Sequence, residues 1–151
     1  MDKNRLGLLI ANGALVILAG FVAGFPYGST VIASLAPGAP ATIHETLRAW
    51  HMAHLEGVLN GMLMIAGAAA AGQLVLSQTS QKVILWGLVV AGWTNIVAST
   101  ISALTGGRGT GITGLDWNTF DFVVFMAGIV GATAAVIALA LGGLAARTAR
   151  T

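Results

Sequence analysis

The 151-residue chain has no cysteine. That excludes disulfides, thiolate-held zinc, iron–sulfur clusters and the covalent attachment of a c-type haem, so any metal must be held by histidine, carboxylate, amide or a cofactor. Charge is nearly as scarce, at 8% of residues, where a soluble domain carries roughly 25%. Seven basic and five acidic side chains leave a net charge of +2 and form no basic cluster, which argues against a nucleic-acid surface. Three prolines and one tyrosine complete the list of scarcities. What remains is apolar: 56% of residues are hydrophobic, 21 are glycine, and the mean hydropathy is +0.87. This is the composition of an integral membrane protein, with lipid as its first partner.

A hydrocarbon core about 30 Å thick needs roughly 20 apolar residues per helix. Four stretches satisfy that length, at 6–25, 51–76, 83–104 and 120–146. The chain is therefore expected to be all-α, a four-transmembrane-helix bundle formed by one integral membrane domain over 1–151. The first stretch lacks a clear small-residue cleavage site and reads as a retained span, not a signal peptide. Pro26 is expected to end it, because proline breaks the helical ladder. Residues 42–49 read as a short interfacial helix before the second span, and 105–118 as a glycine-rich connection to the fourth, capped by Asn118 or Thr119. Trp50, Trp93 and Trp117 fit an outer aromatic belt and Trp86 an inner one. Lys3, Arg5, Lys82, Arg147 and Arg150 fall on one side of an even-numbered bundle, against Arg48 and Arg108 on the other. The positive-inside rule then puts both termini in the cytoplasm, with the inner membrane as location.

The head of the second span, Trp50-His51-Met52-Ala53-His54-Leu55-Glu56-Gly57-Val58-Leu59-Asn60-Gly61-Met62, carries ionisable side chains into an apolar segment. Insertion scales charge about 2.5–3.5 kcal/mol for such a group at the bilayer centre, so intramembrane ionisable residues mark function by default. At about 100° per residue, His54, Gly57, Gly61 and Met64 share one helix face. The glycines would leave a flat slot below the imidazole, where a planar macrocycle held by one axial histidine fits. The competing reading of the same face is a helix–helix contact with His54 hydrogen-bonded across it. Glu56 and Asn60 are four apart and can act together. Asn60 is six residues from His54, about 120° around the axis, so one helix does not bring both to the same metal. An assembly in which Asn60 of a neighbouring subunit faces the His54 ligand would resolve this. His51 and His54 lack further ligands at the spacing a zinc site requires. Asn12, Asn95 and Ser99, singly, read as structural.

Trp50-x-x-Ala53-His54-x-x-x-x-Leu59-Asn60-Gly61-Met62, Gly92-Trp93-x-Asn95, Arg108-Gly109 and Asp121 before the last span occur in the order found in the styrene oxide isomerases, which the chain resembles from about residue 50 to 125. The resemblance implies a homotrimer holding ferric haem b at its subunit interfaces. In that family the iron acts as a Lewis acid on a small hydrophobic epoxide. Ring opening and a 1,2-hydride shift then give an aryl acetaldehyde. By position, His54 would be the axial ligand, flanked by Gly57 and Gly61, and Asn60 would place the epoxide oxygen. The family pattern leads to a tyrosine where this chain has Ser99, and to a small residue where it has Glu56. Those two residues become candidates for the missing hydrogen bond, and a serine there enlarges the pocket. Two other readings remain open: a haem-binding or electron-transfer subunit, and a small membrane scaffold. A proton channel using Glu56 lacks a relay of further carboxylates.

Overall fold

The computed structural model describes residues 1–148. The chain forms four helices, α1 (Lys3–Ser34), α2 (Ile43–Gly72), α3 (Gln78–Thr105) and α4 (Trp117–Thr148). All four are long and apolar enough to cross a membrane, and among the described residues there is no strand. The four-transmembrane-helix architecture expected from the sequence is the one observed.

The helices run past the expected limits at most ends. Pro26 lies inside α1 and does not end it. In lipid, an interrupted helix would leave backbone groups without partners, and transmembrane helices absorb proline when side chains re-satisfy the backbone. The group that Pro26 frees is the Val22 carbonyl, four residues back; the Ser29 and Thr30 hydroxyls donate instead to the Pro26 carbonyl, at 3.0 and 2.7 Å. The segment 42–49 is not a separate interfacial helix: from Ile43 onward it is the first part of α2. Ser77 caps α3 by accepting from the Ser80 amide, and Gly106, with φ 77°, closes it in the left-handed conformation that glycine supplies.

The start of α4 also departs from expectation. Asp116 makes the cap, its Oδ1 accepting from the Thr119 amide at 2.8 Å. Asn118 and Thr119 instead hold the glycine-rich loop. Asn118 Oδ1 accepts from the Arg108 and Thr110 amides while its Nδ2 donates to the Gly111 carbonyl. Thr119 Oγ1 accepts from the Thr113 and Gly114 amides. The loop is thereby wound onto the first turn of α4.

Packing follows the small residues. Helix association in lipid relies on close backbone approach, since apolar contrast is absent there. Helix α1 packs along α2, α3 along α4, and α2 along α3, whereas α1 and α4 do not meet among the described residues. Gly13 and Gly20 of α1 oppose Gly61 and Gly57 of α2, and Gly87 of α3 opposes Gly131 of α4. Between these seams Leu9, Val16, Met64, Ile84 and Leu88 are buried. Trp93, assigned by sequence to the outer belt, is half-buried and ties α3 to α1 through Nε1 to Asn12 Oδ1 at 3.0 Å. At one end of the bundle, Arg5 pairs with Asp2 and donates to Gln78 and Gln81 at the start of α3.

Candidate active site

His54 is fixed by α1. Its Nδ1 lies 2.9 Å from the Gly20 carbonyl oxygen. A carbonyl only accepts, so Nδ1 carries the proton and Nε2 keeps a free lone pair. Gly24 makes the room, since a Cβ there would stand 3.0 Å from Nδ1. The only tyrosine, Tyr27, lies against the same ring, with centroids 6.0 Å apart and planes inclined by 15°. It also stacks on His51 at 4.9 Å and 22°. Sequence reasoning placed Tyr27 near the end of the first span and gave it no part in the site. Its signal is weak, because only helix pairing brings residue 27 to residues 51 and 54.

The glycines of the His54 face are not an open slot. A Cβ on Gly57 would collide with Gly20 Cα, and one on Gly61 would stand 2.5 Å from the Gly13 carbonyl oxygen. Met64, on the same face, is buried against Val16 and Gly92. The sequence offered two readings of this face. The helix–helix contact with His54 hydrogen-bonded across it is what the structure contains, and α1 fills the space below the imidazole. As a whole residue, His54 is nevertheless only half-buried.

Glu56 and Asn60 point to the other side of α2, towards α3. Asn60 Nδ2 donates to the Glu56 carboxylate at 2.6 Å and to the Glu56 carbonyl at 2.8 Å. Asn60 Oδ1 accepts from Asn95 Nδ2 at 3.2 Å. Every polar atom of the Asn60 side chain is thus engaged, while Asn95 Oδ1 is buried without a partner, packed where Gly128 of α4 leaves room. One turn further along α3 is Ser99, 2% exposed, with its Oγ unpartnered. Beyond it, Ser102 donates to Asp121 Oδ2 at 2.7 Å, and Asp121 is buried. A polar seam therefore runs along α3 from Asn95 through Ser99 to Ser102, with Glu56 and Asn60 beside its lower end. Asn95 reads singly as structural in the sequence and Asp121 only as a motif residue before the last span, and the fold shows that both extend this seam.

The structure brings Glu56, Asn60 and Ser99 to one side of α2 and His54 to the other. Among the described residues, no three histidine or carboxylate side chains converge. His54 thus offers a metal one donor, backed by a carbonyl on its second nitrogen, the outer-shell bond that orients metal-ligating imidazoles. That arrangement fits a macrocycle that brings its own four equatorial donors.

Fold and site together define a small polytopic membrane protein with one backed histidine and a largely half-buried polar seam along its third helix. The family model for styrene oxide isomerase matches residues 6–147. The chain belongs to that isomerase family, and the match takes in all four helices, including the first, where the sequence motifs alone carried no resemblance. No curated protein matches the chain.

Proposed function

We propose that this protein is a haem-b-dependent membrane isomerase that converts hydrophobic epoxides to carbonyl compounds. The observation that carries the reading, beside the family, is the His54 Nδ1 proton given to the Gly20 carbonyl, which leaves Nε2 as the ligating atom. When bound, ferric haem supplies a Lewis-acidic iron that polarises the epoxide oxygen. The reaction is an isomerisation: the C–O bond at the aryl-bearing carbon breaks, and a hydride moves to that carbon with its electron pair from the neighbour. A C=O bond then forms, with no net gain or loss of electrons.

The chain's own groups bind, orient and exclude water. Glu56 holds the Asn60 amide with one carboxylate oxygen, which leaves its other oxygen to meet substrate. Ser99 offers a buried hydroxyl with no competing partner, in place of the expected phenol. A dry site strengthens each of these hydrogen bonds as charge develops on oxygen. His54 and Asn60 lie on different sides of α2, which favours a site completed between neighbouring subunits of a homotrimer. Lys3, Arg5, Lys82 and Arg147 define the cytoplasmic end in this reading; Arg150, counted with them by sequence, lies outside the described residues.

The test is a spectrum followed by an assay. Protein purified in mild detergent from haem-replete cells should show a Soret band that His54→Ala abolishes, and should convert aryl epoxides to aldehydes without added reductant. A colourless protein overturns the reading and leaves the glycine-packed helices as a membrane scaffold. A six-coordinate spectrum with no epoxide turnover assigns an electron carrier.

A further inference from the structure

Gly20, Gly24 and Tyr27 are spaced four and three residues apart and form one stripe of α1. The stripe meets α2 rung by rung. Gly20 opposes Gly57, Gly24 opposes the His54 ring, and Tyr27 comes next, against His54 and His51. The glycines bring α1 close, and the side chain that follows them comes to lie on the imidazoles.

The Gly20 carbonyl controls one atom of the His54 ring, Nδ1. A bond to one atom leaves the ring free to tilt, since the χ2 torsion of histidine has a broad minimum. The Tyr27 ring restrains that tilt. Its plane is inclined by 15° to the imidazole with centroids 6.0 Å apart, inside the range of about 4.5–7 Å for aromatic pairs. The same phenol ring lies closer to His51, at 4.9 Å, so α2 holds Tyr27 in turn. The Tyr27 hydroxyl makes no hydrogen bond among the described residues. What Tyr27 gives His54 is a flat face.

We infer that Tyr27 is a positioning residue for the axial ligand: it fixes the plane of the His54 imidazole, so that Nε2 is presented to the metal in one orientation. Two contacts from α1 then divide the task. Gly20 selects the nitrogen that ligates, and Tyr27 sets the plane in which it lies. The inference rests on the haem reading for the metal, but the order of the ring precedes the metal and is measurable without it.

Three substitutions separate the ring face from other roles. Tyr27→Phe keeps the face and removes the hydroxyl. Tyr27→Leu keeps apolar bulk without a flat face, and Tyr27→Ala removes both. Folding is checked by circular dichroism and gel filtration in mild detergent, and either of the last two suffices if the other does not fold. Nitrogen-15 NMR of the haem-free full chain, labelled at histidine, reads the His54 tautomer. Transfer of haem to apomyoglobin reads its retention.

Wild type and Tyr27→Phe should show the Nδ1–H tautomer alone, a nuclear Overhauser contact between ring 27 and His54, and slow haem loss. Tyr27→Leu and Tyr27→Ala should average the two tautomers and lose haem about tenfold faster, the lower end of the effect of removing a group that orients a ligating histidine. Tautomer and haem loss unchanged in these folded variants overturn the inference, as does a Tyr27→Phe that behaves like them. A wild type without the Overhauser contact overturns it with no variant needed. Tautomer averaging confined to the Leu and Ala variants, in a chain that holds no haem, upholds the fixing of the ring and overturns the haem reading alone.

Discussion

His54 illustrates how a single hydrogen bond assigns the chemistry of a side chain. With Nδ1 committed to the Gly20 carbonyl, only Nε2 is left to coordinate. Removing the imidazole should remove the Soret band outright. Asn60→Ala should keep that band and lower kcat on the order of 10²-fold, the effect of deleting one oriented donor at a developing oxyanion; steady-state rates at matched haem occupancy check it. The residue types of this region were legible because histidine, glutamate and asparagine are conspicuous in an apolar run. Their partners were not: Asn95 is 35 positions from Asn60, and Tyr27 is 24 from His51, distances that only helix pairing closes. Asp116 gives a residue-scale prediction outside the bilayer. The Thr119 amide, then the Thr113 hydroxyl, hold its carboxyl below the usual value of 3.8. A depressed folded-state pKa contributes stability above the unfolded pKa and loses it as pH falls through the folded one. Asp116→Ala should therefore lower Tm at neutral pH, with the gap to wild type narrowing below about pH 4 in thermal scans.

At the scale of the element, glycine spacing and hydropathy foretold where helices pack and how many there are, but not where they stop. Pro26 was read as a terminator by a rule that holds in water, where a freed backbone group finds solvent. In lipid the helix continues past it, since ending there would strip partners from more backbone groups than the one carbonyl a proline frees. Asn118 and Thr119 were read as caps for the same local reason, yet the loop claims them and Asp116 takes the cap. The glycine face of α2 was open to two readings because periodicity shows which residues share a face, not what covers it. Once α1 is seen there, Gly57→Ala becomes a packing insult: its new Cβ would meet Gly20 Cα. Overpacking of this kind costs about 1–3 kcal/mol. A lowered thermal midpoint in detergent, together with weaker haem retention as α1 is displaced from His54, is the expected result.

For the whole molecule, composition alone placed the chain in a membrane, and the ordered motifs placed it in its family. The homotrimer is what the family resemblance implies, and the shared site is what the separation of His54 and Asn60 around α2 favours. If each active site joins His54 of one subunit with Asn60 of the next, two inactive variants complement one another. In a cyclic trimer of randomly mixed His54→Ala and Asn60→Ala subunits, about a quarter of the interfaces pair an intact histidine with an intact asparagine. Co-expression should therefore restore about that share of wild-type activity, well above either variant alone. Mixtures as dead as their parents would place both residues in one subunit's site. Helices α1 and α4 do not meet among the described residues, so each protomer keeps flanks on which neighbours can pack.

The carbonyl that selects the His54 tautomer belongs to the main chain, and this has an evolutionary consequence. No substitution at position 20 deletes the acceptor itself; what it changes is how near α1 can come. The protonation pattern of the imidazole is thus inherited through the distance between two helices, and sequence drift can proceed around it freely wherever that spacing survives.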